Sequence, residues 1–193
     1  MEIHVLQEEE LKAAAGLSRY VFDHALRDRM EFVQTIAFVE EYLKEENLRR
    51  LYQESTLLVW GAFEENTLVG VAGLQSDGMI TMLYVLPQFC NKGIGSRLLA
   101  EMRTYARDTY GMEKVLLNAT PAWTAFYFVK QGFSYLNRGQ QMRVPFVPMY
   151  ALSQDSLIPL KRRIPKLYIA MAIGGCVFLA TIATWLFMMW YLK

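Results

Sequence analysis

Cysteine, histidine and net charge are all scarce in this chain. Two cysteines in 193 residues, Cys90 and Cys176, are too few for a disulfide framework. The two histidines, His4 and His24, read as structural: one lies in a short strand, the other in a helix among charges. No grouping of His, Cys, Asp and Glu has metal-ligand spacing, so no metal is expected. No Ser–His–Asp set is suggested. A net charge of +1, from 20 basic and 19 acidic residues, provides no general basic surface, so no nucleic-acid partner is expected. Twelve glycines without a period exclude a collagen-like chain, and 53% hydrophobic residues exclude a disordered one. There are no internal repeats. The length fits one domain with an appendage.

Apolar residues are abundant, and they are unevenly placed. Leu167 to Leu192 is a run of 26 residues without a charge. As a helix it would be about 39 Å long, against a hydrocarbon core of about 30 Å. Tyr168 at its start, and Trp185, Trp190 and Tyr191 near its end, suit two membrane interfaces. The run therefore predicts a transmembrane helix in contact with lipid; core helices rarely run so long without a polar face. Lys161, Arg162, Arg163 and Lys166 precede it and only Lys193 follows. The positive-inside rule then predicts a single-pass membrane protein with its N-terminal part in the cytoplasm. Small residues at four-residue spacing, Ala172, Cys176, Ala180 and Thr184, read either as chance in an Ala-rich segment or as a homodimer contact.

The first 151 residues alternate in pattern. Glu2–Leu6 reads as a strand. Leu11, Ala14, Ala15, Ser18, Val21, Phe22, Ala25 and Leu26 recur at helical spacing. Phe32, Ile36, Val39, Tyr42 and Leu43 mark a second helix, whose solvated end is the charged run Lys44–Arg50. Thr56–Phe63, Leu68–Leu74 and Met79–Val85 predict an antiparallel meander, with turns at Glu64-Glu65-Asn66 and Asp77-Gly78. A helix over 94–106 stopped by Gly111, a strand at Lys114–Asn118, a helix over 122–131 after Pro121, and strands at Phe133–Asn137 and Met142–Tyr150 complete the pattern. The expectation is one mixed α/β domain over 1–151, a basic linker over 152–166 and the span over 167–192.

Between a strand and a helix lies Cys90-Asn91-Lys92-Gly93-Ile94-Gly95-Ser96. Glycines allow a tight turn, and the helix behind it offers unpaired N–H groups at the positive end of its dipole. Such a turn suits a phosphate or pyrophosphate, or is simply a helix cap. It is neither a P-loop nor a complete dinucleotide fingerprint.

The wider run is more specific. Ile80 to Leu99, ITMLYVLPQFCNKGIGSRLL, resembles the acetyl-CoA motif of the GNAT N-acetyltransferases, Arg/Gln-x-x-Gly-x-Gly/Ala after a strand ending in Val-x-Pro. Leu117–Pro121, Phe126-Tyr127, Gly132-Phe133 and Phe146–Met149 resemble that family's later elements. The resemblance covers residues 1–151 in element order and is strongest at 79–150. It implies a mixed, twisted sheet splayed open in the middle, with helices on both faces. It implies acetyl-CoA as co-substrate, its pyrophosphate held by the backbone N–H groups of Lys92, Gly93, Ile94, Gly95 and Ser96. It implies that the strand end Leu83, Tyr84 and Val85 pairs with the pantetheine arm, with Asn118 nearby on the next strand. A backbone N–H near Val85 would stabilise the tetrahedral oxyanion.

The motif departs from the family pattern twice. Cys90 stands where the family has Arg or Gln, and Asn91 where Gly is common; Asn tolerates the left-handed backbone the turn needs. Cys90 is either passive or a thiol activated by the helix end. The family often has a Tyr that protonates the departing thiolate. Counting from Pro121 puts it at Tyr127, and counting back from Gly132 at Phe128. Tyr127 is the expected acid, since only it can donate a proton; packing in the core is its alternative role. Glu64, Glu65, Tyr84 and ordered water are the options for a base. In this fold the acceptor site usually comes from the first two helices and the last strands. Met30, Phe32, Tyr42 and the 146–150 segment are the candidates, or ordinary core. The expected activity is membrane-tethered acetyl transfer to a primary amine. A non-catalytic CoA-binding or interaction module at the membrane is the alternative.

Overall fold

The computed structural model describes residues 1–30, 32–136 and 146–153. The expected span over 167–192, its small-residue row, Cys176 and most of the basic linker lie outside the described residues, as do Asn137 and 142–145 of the expected strands. Among the described residues, no helix is long and apolar enough to cross a membrane.

Among the described residues, seven strands form one sheet in the order β1-β2-β3-β4-β5-β7-β6. They are β1 (Glu2–Val5), β2 (Leu57–Glu64), β3 (Thr67–Gln75), β4 (Met79–Val85), β5 (Lys114–Ala119), β6 (Ser134–Tyr135) and β7 (Val147–Leu152). The expected meander is present, extended by β1, with β1 through β4 all antiparallel. Glu65 and Asn66 both adopt positive φ at the β2–β3 turn, as a two-residue hairpin requires. At the next turn Asp77 Oδ1 accepts from Met79 N–H at 3.0 Å, and Gly78 has φ +87°.

Helices cover both faces. On one face α1 (Leu11–Val21), α2 (Val33–Tyr42) and α3 (Glu45–Gln53) pack on a core that includes Leu11, Phe22, Leu48, Val59, Val71 and Met82. On the other, α4 (Ile94–Tyr110) and α5 (Ala125–Lys130) pack on Ile80, Leu98, Met102, Val115, Leu117, Phe133 and Met149. The alternation of strand residues between these two cores follows from the period-2 pleat.

The second helix needs correction. The charged run Lys44–Arg50 is not its solvated end. The chain breaks at Lys44, whose ψ of 140° is extended, and 45–53 is a separate helix burying Leu48. Its polar face, with Arg49 bound to Glu45 and Glu8, hid the short apolar stripe. Strand β6 is also shorter than expected.

The sheet opens between β4 and β5. These strands are parallel and pair only at Met79↔Leu116 and Ile80↔Leu117. Immediately beyond, β4 is irregular: Gly73 faces Met82 while Leu74 faces Ile80, leaving Thr81 as an extra residue. A bulge of this kind bends its strand, and here it turns β4 away from β5. Thr81 Oγ1 accepts a hydrogen bond from Tyr42 at 2.8 Å, fixing the bulge to α2.

Arg103 locks the far side of the fold. It is 5% exposed on α4. Its guanidinium donates to the Leu152 carbonyl at the end of β7 (Nε, 3.0 Å; Nη2 also) and to Gln131 after α5 (Nη1, 3.3 Å). Arg103→Leu would strand both carbonyls, and chemical denaturation should show a loss of about 3 kcal/mol.

Candidate active site

The open end of the β4–β5 gap is where the sequence-predicted residues meet. Leu86 N–H donates to Val69 on β3 at 2.9 Å. By strand alternation the N–H and C=O groups of Val85 and Leu83 then face the gap instead. Because β5 pairs no further than Ile80, this edge of β4 is free to bond an extended chain. The side chains divide: Leu83 and Val85 pack with the α4-side core, and Tyr84 with the opposite core. Burial pushes the Tyr84 phenol far above its ordinary pKa, with the Tyr42 phenol adding to the shift. Tyr84 therefore stays protonated and is no general base at neutral pH.

The chain leaves β4 through Pro87–Phe89, one turn of 3-10 helix, and enters the phosphate-type turn. Asn91 (φ 62°) and Gly93 (φ 80°) are left-handed. Gly93 caps α4, and among the described residues no side chain caps the helix. The first N–H groups of α4, a 17-residue helix, are therefore left to a ligand. No acidic residue lies in its first turn. Lys92 Nζ rests over the Phe89 ring, 4.6 Å from its centroid, beside the turn. This cradle fits a pyrophosphate, and the free edge of β4 fits an amide-bearing arm. The Cys90 thiol lies 3.8 Å from the Val85 carbonyl and 3.6 Å from that of Leu86, so it ties the turn back to the strand.

Tyr127 and Phe128 separate clearly. Phe128 packs into the α4-side core and meets Phe133 edge-on, centroids 5.7 Å apart. Tyr127 is 37% exposed and reaches over the start of α4. A Cβ built on Gly95 would lie 2.5 Å from its hydroxyl oxygen, so Gly95 is the residue that lets the phenol settle there. Burial raises the pKa of Tyr127; the Ser96 hydroxyl opposes that rise and Cys90 adds to it. Gly95, Ser96 and Cys90 are thus gathered around one phenol.

Some expected residues lie elsewhere. Asn118 pairs in register with Pro148, and its neighbours Leu117 and Ala119 belong to the α4-side core, so its own exposed side chain lies on the other face. No described hydrogen bond joins it to the turn. Tyr42 is committed to Thr81. Glu64 lies 3.8 Å from the N-terminal ammonium, beside β1 and away from β4. Sequence reasoning missed Trp123, in the 3-10 turn Ala122–Thr124, whose ring lies beneath the guanidinium of Arg29 at 5.7 Å. Pro121 before it was the available signal. Among the described residues no three His, Cys, Asp or Glu side chains come together as metal ligands.

Comparison with known proteins agrees with this arrangement. The family model for the acetyltransferase (GNAT) domain matches residues 22–152. No curated protein matches the chain in sequence. Among solved structures, a GCN5-related N-acetyltransferase from Rhodopseudomonas palustris is similar at TM-score 0.64 and 18% identity, covering 78% of this chain and 94% of that one. The paia N-acetyltransferase from Thermoplasma acidophilum, in complex with coenzyme A, is similar at TM-score 0.60 and 20% identity, covering 79% and 99%. A mutant spermidine N-acetyltransferase from Vibrio cholerae is similar at TM-score 0.52 and 16% identity, covering 79% and 95%. At such identities the likeness to these structures is one of fold. The family match is broader in meaning, since it spans nearly all of the sheet and both phenol and phosphate turn: the chain belongs to the GNAT family and is an acetyl-CoA-dependent N-acetyltransferase.

Proposed function

We propose that the chain acetylates a primary amine at the cytoplasmic face of a membrane, with Tyr127 as the catalytic acid and residues 167–192 as the tether. The observation that carries the catalytic part is the Tyr127 hydroxyl over Gly95, at the start of α4. In the reaction the neutral amine nitrogen attacks the thioester carbonyl, forming the C–N bond. The carbonyl oxygen takes negative charge, which the N–H of Val85 on the open edge of β4 stabilises. The C–S bond then breaks. Tyr127 gives its proton to the departing thiolate, and the proton shed by the amine nitrogen returns to the phenol through water. The products are the amide and the free thiol of CoA. The N–H groups of Lys92 through Ser96 hold the pyrophosphate throughout, which keeps the thioester at the gap.

The tether rests on sequence: 26 uncharged residues flanked by Lys161, Arg162, Arg163 and Lys166 on one side and Lys193 on the other. Two experiments test the two parts. Purified chain mixed with acetyl-CoA and a panel of primary amines should release CoA thiol only when an amine is present. In cells the full chain should stay in the membrane fraction after alkaline extraction, while a version ending at Gln154 should be released and bind acetyl-CoA within about 2-fold of the full chain. A full chain that washes off membranes would remove the tether and leave the chemistry standing.

A further inference from the structure

The main chain of β4 changes direction partway along the strand. Gly78, just before it, accepts from Leu116 N–H on β5 at 2.9 Å. Main-chain groups of a strand face alternate edges. In a regular strand those of residues 80, 82 and 84 would follow Gly78 toward β5 and the gap. Beyond the bulge they do not. Leu86 N–H donates to Val69 on β3, so residues 82, 84 and 86 face β3, while Leu83 and Val85 face the gap. The side chains record the same inversion. Ile80 lies in the α4-side core and Met82 in the opposite one, although unbroken alternation would put both on one face. One extra residue, Thr81, therefore decides which amides reach the open edge. With Thr81 drawn into regular pairing, the gap would face the amides of Met82 and Tyr84, each about 3.3 Å from its present counterpart.

A bulge leaves its extra residue without a cross-strand partner, and Thr81 is held from outside the strand. The Tyr42 phenol donates to its Oγ1 at 2.8 Å, and the side chain of Gln75, at the end of β3, bonds the same phenol. Burial raises the Tyr42 pKa, so this donor keeps its proton at neutral pH. Tyr42 is the last residue of α2, and Asn47 Nδ2 donates to its carbonyl at 2.9 Å. Every residue of α2 is at least partly exposed, so the helix is seated on β4 by directed bonds and not by a fully buried side chain.

Resting on the acetyl-transfer reading above, in which the Val85 N–H stabilises the oxyanion, we infer that Tyr42 is a positioning residue for that step. Its hydroxyl, acting through Thr81, holds the bulge and keeps the Val85 N–H aimed into the gap. Tyr42 touches no reacting atom. Its effect falls on the transition state, where the carbonyl oxygen becomes charged, and not on the pyrophosphate turn.

The test uses the full chain, acetyl-CoA and the primary amine of the panel above with the highest kcat/KM, read by thiol release. Tyr42→Phe removes only the donor, and Thr81→Val only the accepting oxygen. Each should lower kcat by about 10-fold, part of the roughly 100-fold that a lost oxyanion donor costs, with the KM for acetyl-CoA within about 2-fold. The double variant should also lose only about 10-fold, because both changes break one bond. Thr81→Ser keeps the oxygen and should recover most of the activity lost in Thr81→Val. A packing role alone gives a different result: earlier thermal unfolding, with kcat per acetyl-CoA-binding site unchanged. That outcome overturns the inference while acetyl transfer stands. So do multiplicative losses in the double variant, or a Thr81→Ser variant as slow as Thr81→Val. A chain that binds acetyl-CoA yet releases no thiol with any amine of the panel overturns the acetyl-transfer reading, and this inference with it.

Discussion

Replacing Tyr127 with Phe is expected to lower kcat by about 100-fold while acetyl-CoA affinity changes by less than about 2-fold, the usual size of a lost general acid. The substitution removes one oxygen and keeps the ring. That ring lies against Phe128, centroids 5.3 Å apart, and the residue is 37% exposed, so folding should be unaffected. On the proposed reading the pyrophosphate is held by backbone N–H groups of the turn, so removing the phenol oxygen should leave its binding nearly unchanged. The pH profile gives an independent check. Burial raises the Tyr127 pKa, so the proton is held beyond pH 10 and is lost only as pH rises through that higher value. The acceptor must be neutral, so kcat/KM should climb from pH 7 as its ammonium, with a pKa near about 10, deprotonates. The climb should persist in Tyr127→Phe at a lower level, because it belongs to the amine. A variant with unchanged kcat would move the acid elsewhere, and Phe128, half-buried against Phe133 and without a proton to give, cannot take the role.

Much of this site was legible in the residues, for identifiable reasons. Main-chain features follow from local rules: Gly93 and Asn91 announce a left-handed turn, and the apolar stripe of Ile94, Leu98, Leu99 and Met102 announces the helix behind it. The meander was readable because its turns contain Asp77-Gly78 and Glu65-Asn66 between apolar runs. Readings that depend on what a side chain meets across the fold were weaker. Counting could not choose between Tyr127 and Phe128, since one residue turns a helical side chain by about 100°; Gly95, more than thirty positions earlier, makes the space that one of them uses. The bulge at Thr81 has no local signature, because it arises from pairing with β3 and from the Tyr42 hydroxyl. The Lys44 break was hidden by charges that pair along the surface of α3. Cys90, the departure from the family motif, is explained only by position: its thiol reaches the carbonyls that end β4.

Gly95→Ala is expected to abolish most of the Tyr127 contribution without touching the residue itself. The new Cβ would lie 2.5 Å from the Tyr127 oxygen and 3.5 Å from its Cζ, while Val85 Cγ2 is 3.9 Å away. The first contact is shorter than any stable packing distance, and the others are ordinary. What must yield is the hydroxyl, at the far end of a partly exposed side chain, so the phenol swings and the helix stays. Alanine is also the better helix former, by about 1 kcal/mol. Thermal unfolding should therefore be unchanged or slightly later, while kcat falls by about 100-fold, as in Tyr127→Phe. The double variant separates the two roles of this glycine. In a Tyr127→Phe background the oxygen is gone, so the added Cβ has nothing to displace, and the two losses should be strongly non-additive in kcat. Whatever Gly95→Ala still does in that background, read as a rise in the KM for acetyl-CoA, measures how closely the pyrophosphate approaches the turn. Additive losses in kcat would show that Gly95 and Tyr127 act independently, and the phenol would lose its claim to the departing thiolate.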